Sequence, residues 1–94
     1  MDTVTGRVAT DRPERYAKQL ISHWAARGPS TEQGGTTVQR WETGQVIILR
    51  PTEGVLEIEV GVPDGEDVDQ FARVVTEHLE RMGKNDDLDV EWDS

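Results

Sequence analysis

The segment from Thr10 to Gly28, TDRPERYAKQLISHWAARG, constrains this chain most, because it combines a helix start, a full amphipathic period and a helix stop. Asp11 is placed to N-cap, and Glu14 three residues later completes an Asp-x-x-Glu capping box. Pro13 falls in the first turn, where its missing N–H costs nothing. Gly28 stands at the C′ position and Pro29 forbids continuation. At about 100° per residue, Pro13, Ala17, Leu20, Ile21 and Trp24 share one face, with Tyr16 at its margin. A helix with one apolar stripe has to be covered by a second layer, and the remaining sequence reads as a sheet.

Before the helix, Val4, Gly6 and Val8 alternate with Thr3, Thr5 and Arg7, which predicts a strand over Thr3–Thr10. Gly6 inside it marks the close approach of a neighbouring group. Pro29–Thr36, PSTEQGGT, reads as a polar, mobile loop. Strands over Thr37–Trp41 and Gln45–Arg50 flank the hairpin loop Glu42-Thr43-Gly44, and Pro51–Gly54 is a turn. In Val55–Val62, Leu56, Ile58, Val60 and Val62 point one way while Glu57 and Glu59 point the other. Asp67 and Gln70 give capping-box spacing for a second helix, whose stripe is Val68, Phe71, Val75, His78, Leu79 and Met82, closed by Gly83. A turn over Lys84–Asp87 precedes a last strand of Leu88, Val90 and Trp92.

The order is therefore β-α-β-β-β-α-β. The fold class expected is α+β, a two-layer sandwich of a mostly antiparallel sheet with two helices on one face, and residues 1–94 form one domain with a mobile loop at about 29–36. If each element reverses direction, the two helices run the same way. Val46, Ile47, Ile48 and Leu49 are apolar on both faces of their strand, so a homodimer through the open sheet face, using Trp41, Ile47 or Leu49, is expected.

Composition narrows the function. Nineteen acidic against ten basic residues give a formal net charge of −9, which repels phosphate backbones, so no nucleic-acid partner is expected. There is no cysteine, hence no thiolate metal site and no Cys nucleophile, and a reducing, cytoplasmic setting is expected. The longest apolar run, Val46–Leu49, is too short for a membrane span, and the first residues lack the apolar core of a signal peptide, so no membrane association is expected.

Arg7-Val8-Ala9-Thr10, Pro13, Arg15-Tyr16, Gln19-Leu20 and His23-Trp24, with the later run Val74 to Arg81 and then Leu88, Val90 and Trp92, resemble the signatures of the domain-of-unknown-function 2218 family. The resemblance spans nearly the whole chain in order. Met82 stands where the pattern has an aromatic residue, and residues 29–36 match none of it. The resemblance implies a small bacterial cytosolic domain without an established activity. It also implies a link to iron or siderophore handling, through relatives beside siderophore-interacting reductases.

On helix one, Arg12, Tyr16, Gln19 and His23 form a polar stripe along the flank of the apolar face, extended by Arg27. It offers cations, a phenol, an amide and an imidazole to one small anionic ligand; the plainer reading is that these side chains border a buried face with their tips in water. His78 lies inside the stripe of helix two, as a hydrogen-bonded core histidine or as a ligand. His23 precedes Gly28 by five residues, as His78 precedes Gly83, so parallel helices would hold the imidazoles at one height with Tyr16 and Gln19 close by.

No catalytic residue and no metal-ligand set is assigned, and no cofactor is indicated. Asp64, Glu66, Asp67 and Asp69 lack the calcium-loop pattern and read as helix capping. Glu57, Glu59, Asp89 and Glu91 read as a solvated sheet face rather than a carboxylate pair in a cleft. Gly34-Gly35 has no phosphate-loop context, and no serine sits in a nucleophile elbow. The expected function is a binding or accessory module connected to iron or siderophore handling. The alternatives are a small enzyme using His78 or His23 as acid–base, and a structural dimerisation domain.

Overall fold

The computed structural model describes residues 1–84 and 88–93. Its elements are β1 (Asp2–Ala9), α1 (Pro13–His23), a 3₁₀ turn (Ala25–Arg27), β2 (Ser30–Gln33), β3 (Thr36–Arg40), β4 (Val46–Thr52), β5 (Val55–Val62), α2 (Val68–Met82) and β6 (Val90–Trp92). The strands form one antiparallel sheet in the order β2-β3-β4-β5-β1-β6. α1 packs over β4 and β5, and α2 over β5 and β1, which is the two-layer α+β architecture expected. The turn expected over Lys84–Asp87 falls, beyond Lys84, outside the described residues.

Alternation in β5 orients the sheet. Leu56, Ile58, Val60 and Val62 are buried under the helices, and Glu57 is exposed on the opposite face. Pairing carries that polarity outward: Ile47 lies opposite Val60, Leu49 opposite Ile58, and Val8 opposite Leu56. With Leu20, Trp24, Phe71, Val75 and Leu79 these form one core, against which Val90 and Trp92 pack partly buried.

Three local expectations are corrected. The mobile loop at 29–36 holds β2, which pairs with β3 from Ser30↔Gln39 to Gln33↔Thr36 and makes an exposed edge. That extra strand adds one reversal. β1 and β2 now run the same way, as do β5 and β6, so α1 and α2 are antiparallel rather than parallel. Arg12, not Asp11, is the N-cap of α1 and makes no side-chain cap bond; instead Thr10 Oγ1 accepts from the Arg12 N–H at 3.0 Å. The chain is still held in the sheet one residue earlier, where the Thr10 N–H donates to Gly54 O at 3.1 Å, so the helix starts later. At α2 the cap is as expected, with the Asp67 carboxylate accepting from the N–H groups of Asp69 and Gln70.

Trp41, Ile47 and Leu49 do not face outward. Ile47 and Leu49 are fully buried beneath α1, and the Trp41 ring packs on Trp24 and Phe71. The open face carries instead a row across four strands, Glu91↔Arg7↔Glu57↔Arg50, with alternating sign. Directly opposed charges of opposite sign favour this register modestly and keep the face wet. Ile47 and Leu49 are thus unavailable to a contact on the open face, where Val38 and Ile48 stand instead.

β6 is fastened at one spot. A Cβ on Gly6 would stand 2.6 Å from the Trp92 ring, so only glycine lets the indole lie across β1. The Trp92 Nε1–H donates to Thr76 Oγ1 on α2 at 2.7 Å, and Asp93 accepts from Arg7 and from Thr5. Those two donors, Arg7 foremost, hold the exposed Asp93 carboxyl below its ordinary value of 3.8.

Leu20→Ala should lower stability by roughly 2–5 kcal/mol, read from chemical denaturation; a loss no greater than at an exposed position would reject the core assignment. The Asp93 contribution has the sign of a depressed carboxyl. It is complete above the ordinary value and is lost as pH falls through the lower folded-state value. The amide protection factors of Glu91 and Asp93 should therefore fall below about pH 4 in the native protein, and Asp93→Asn should abolish that pH dependence.

Candidate functional site

The end of α1 is set by a side chain from the sheet. Gln39 on β3 is fully buried, and its Nε2 donates to the carbonyls of Trp24 at 2.8 Å and Gly28 at 3.2 Å. Its Oε1 accepts from the Trp41 indole at 3.1 Å. Around it the Arg40 N–H donates to Pro29 O and the Glu42 N–H to Arg27 O. A Cβ on Gly28 would collide with the Arg40 carbonyl, so this stretch lies flat on β3 only as glycine. The α-helix consequently ends at His23, five residues before Gly28, and continues as the 3₁₀ turn.

This strapped end gathers the imidazoles. The ring centroids of His23 and His78 lie 4.9 Å apart with the planes inclined by 52°. Trp24 stands 5.0 Å from His78 and 5.5 Å from Trp41, and Trp41 meets Phe71 edge-on at 5.1 Å. The Arg27 guanidinium covers the Trp41 ring at 5.2 Å, a cation–π contact on an exposed side chain. His78 is partly buried, and its Nδ1–H donates to Val74 O at 2.8 Å, which leaves Nε2 with the lone pair in the neutral ring. His23 is exposed. His23 and His78 adjoin although the helices are antiparallel, so the parallel-helix constellation with Tyr16 and Gln19 close by does not form: His23 closes α1 while His78 lies in the third turn of α2.

Antiparallel packing sends the rest of the stripe elsewhere. Arg12, Tyr16 and Gln19 lie at the start of α1, beside the end of α2. There they line a cavity of about 270 Å³ with Arg15, Arg81 and Lys84. Arg12 and His23 are eleven residues apart, about 16 Å along a helix, so one small ligand does not touch both. Tyr16 is buried and Gln19 exposed. Among the described residues lining this cleft there is no carboxylate, in a chain of net charge −9. The positive end of α1 and the negative end of α2 offset each other, so the local field is set by Arg15, Arg81, Lys84 and Arg12, whose Nε lies 3.9 Å from the Asp11 carboxylate just outside the lining. Arg15 belongs to the basic rim that the sequence places around helix one, whereas Arg81 and Lys84 join it only across the helix pair and carry no signal in the sequence.

A groove of about 560 Å³ between α1 and the β2–β3 edge carries Glu14, Lys18, Ser22 and Glu32, mixed in sign. No group of three or more His, Asp or Glu side chains is gathered as a metal cluster among the described residues. Nor, among them, is any helix long and apolar enough to cross a membrane.

The sequence profile of a family described as uncharacterized protein conserved in bacteria (DUF2218) matches residues 5–93. No curated protein matches the chain. Among solved structures, the NMR structure of PA4090 from Pseudomonas aeruginosa is similar at TM-score 0.75 and 22% identity, over 99% of this chain and 96% of that one. The likeness to PA4090 establishes the shared fold.

Gln39→Leu leaves the Gly28 carbonyl and the Trp41 indole without this partner. The expected loss is about 1–3 kcal/mol, read as a lowered thermal midpoint with a changed tryptophan emission. An unchanged midpoint would show that Gln39 does not strap α1 to the sheet.

Proposed function

The chain belongs to the DUF2218 family of proteins conserved in bacteria, and from that premise we propose that it is a non-enzymatic binding module for a small anionic ligand. The observation that carries this reading is the convergence of Arg12, Arg15, Arg81 and Lys84 on one cavity, without a carboxylate among its described lining. Guanidinium groups hold carboxylate, phosphate or catecholate oxygens through paired, charge-assisted hydrogen bonds. The Tyr16 phenol and the Gln19 amide supply neutral polar groups at the same rim. About 270 Å³ suits one carboxylate arm or one catecholate ring rather than a large cofactor.

Iron handling is the setting we propose, since a ferric tris-catecholate complex is a multiply charged anion that would present one ring edge to this cleft. The support for iron is the family resemblance; the support for an anion is the cleft. The two are tested together by calorimetric titration with citrate and with ferric tris-catecholate. Both should bind, the second more tightly, and added salt should weaken both. Arg12→Ala combined with Arg81→Ala should weaken binding at least about tenfold, while His23→Ala should not. Binding of citrate alone would reject the iron setting. Binding of neither, or an unchanged affinity in the double variant, would reject the module.

A further inference from the structure

We propose that His23 and His78 form a two-imidazole chelate site for a divalent transition cation such as Zn²⁺, separate from the basic cleft. The separation of the rings carries the inference. Zinc–imidazole bonds are about 2.0–2.1 Å, and a ring nitrogen lies roughly 1.1 Å from its ring centre, so each centroid stands about 3.2 Å from a bound ion. A tetrahedral angle at the ion then separates two centroids by about 5 Å. The rings of His23 and His78 stand 4.9 Å apart and inclined, not stacked, which is the centroid separation that two imidazoles on one tetrahedral ion need.

The surroundings of His78 match a ligand. A metal-bound histidine characteristically gives its second N–H to a carbonyl or carboxylate, which fixes tautomer and ring orientation. His78 does so through Nδ1 to Val74 O, so that Nε2 is the donor atom. Trp24, 5.0 Å away, confines the ring from the other side. His23 lies at the exposed end of α1, which gives the ion a path from solvent. With no third acidic or imidazole ligand gathered among the described residues, the remaining positions go to water or an incoming chelator, and the site is open rather than structural. Imidazole pairs suit Zn²⁺, Ni²⁺ and Cu²⁺ over Mg²⁺ or Ca²⁺.

The test is calorimetry of the untagged protein with zinc chloride near pH 7.5, with histidine side-chain ¹H–¹⁵N spectra recorded on the same samples. One ion should bind per chain, and both histidines should shift. His23→Ala, at an exposed position, and His78→Gln should each weaken binding at least tenfold, with no larger loss when combined. Acid should weaken binding, because protons compete with the ion for the ring nitrogens. Calcium chloride should give no histidine shift. Arg12→Ala with Arg81→Ala should leave zinc binding unchanged, which separates this site from the anion cleft. Zinc held equally well by His23→Ala, or zinc bound without a shift at either histidine, would place the ion on surface carboxylates and overturn the proposal.

Discussion

A buried amide on β3 decides where α1 stops, and the chemistry of the helix pair depends on that stop. Gln39 spends its donors on the Trp24 and Gly28 carbonyls and its acceptor on the Trp41 indole. Without Gln39 the Gly28 carbonyl and the Trp41 indole would lose this buried partner, while the Trp24 carbonyl would keep only the Arg27 N–H. With it, the chain leaves the helix at His23 and lies down on the sheet. His23 is thereby presented beside His78, and Trp24 is driven into the core. A buried polar group with all its bonds made favours one arrangement over its neighbours, because any shift of register would strand a donor or an acceptor.

The legible parts of the chain are those whose local pattern and final environment agree. β5 alternates from Leu56 to Val60, with the apolar residues buried under the helices and Glu57 exposed on the other side. α2 has a true cap at Asp67 and a continuous apolar stripe. What is not legible has a physical cause in each case. Ser30–Gln33 contains no apolar residue, since β2 is an exposed edge held by backbone pairing, so nothing in its side chains announces a strand. On β3 the apolar Val38 faces outward opposite Ile48, while the polar Gln39 faces the core opposite Ile47. Hydrophobicity alone reads that strand inside out. The missed strand then inverts the relative direction of the helices.

The candidate residues share that history. Arg12, Tyr16, Gln19, His23 and Arg27 form one stripe in the sequence; α1, capped by Arg12, carries Tyr16, Gln19 and His23 along one flank, and Arg27 lies beyond it in the 3₁₀ turn. Antiparallel packing divides the flank between two neighbourhoods. Its start meets the basic end of α2, and its end meets His78, Trp24 and Trp41. One end offers guanidinium and ammonium groups to oxygen anions, and the other offers two imidazole nitrogens to a cation. A ligand that is itself a metal–anion complex would find its two kinds of partner about 16 Å apart, so the account treats the ends as independent.

That independence is the central claim, and backbone amide shifts from a single ¹⁵N-labelled sample test it most directly. Citrate is added first and zinc chloride afterwards, in excess of the citrate. Citrate should move amides around Arg12–Gln19 and Arg81–Lys84, and zinc should then move those around His23–Trp24 and Val74–His78. Shifts by both additions at one shared set of residues, or shifts centred on the Arg7–Glu57–Arg50 row of the open sheet face, would contradict it.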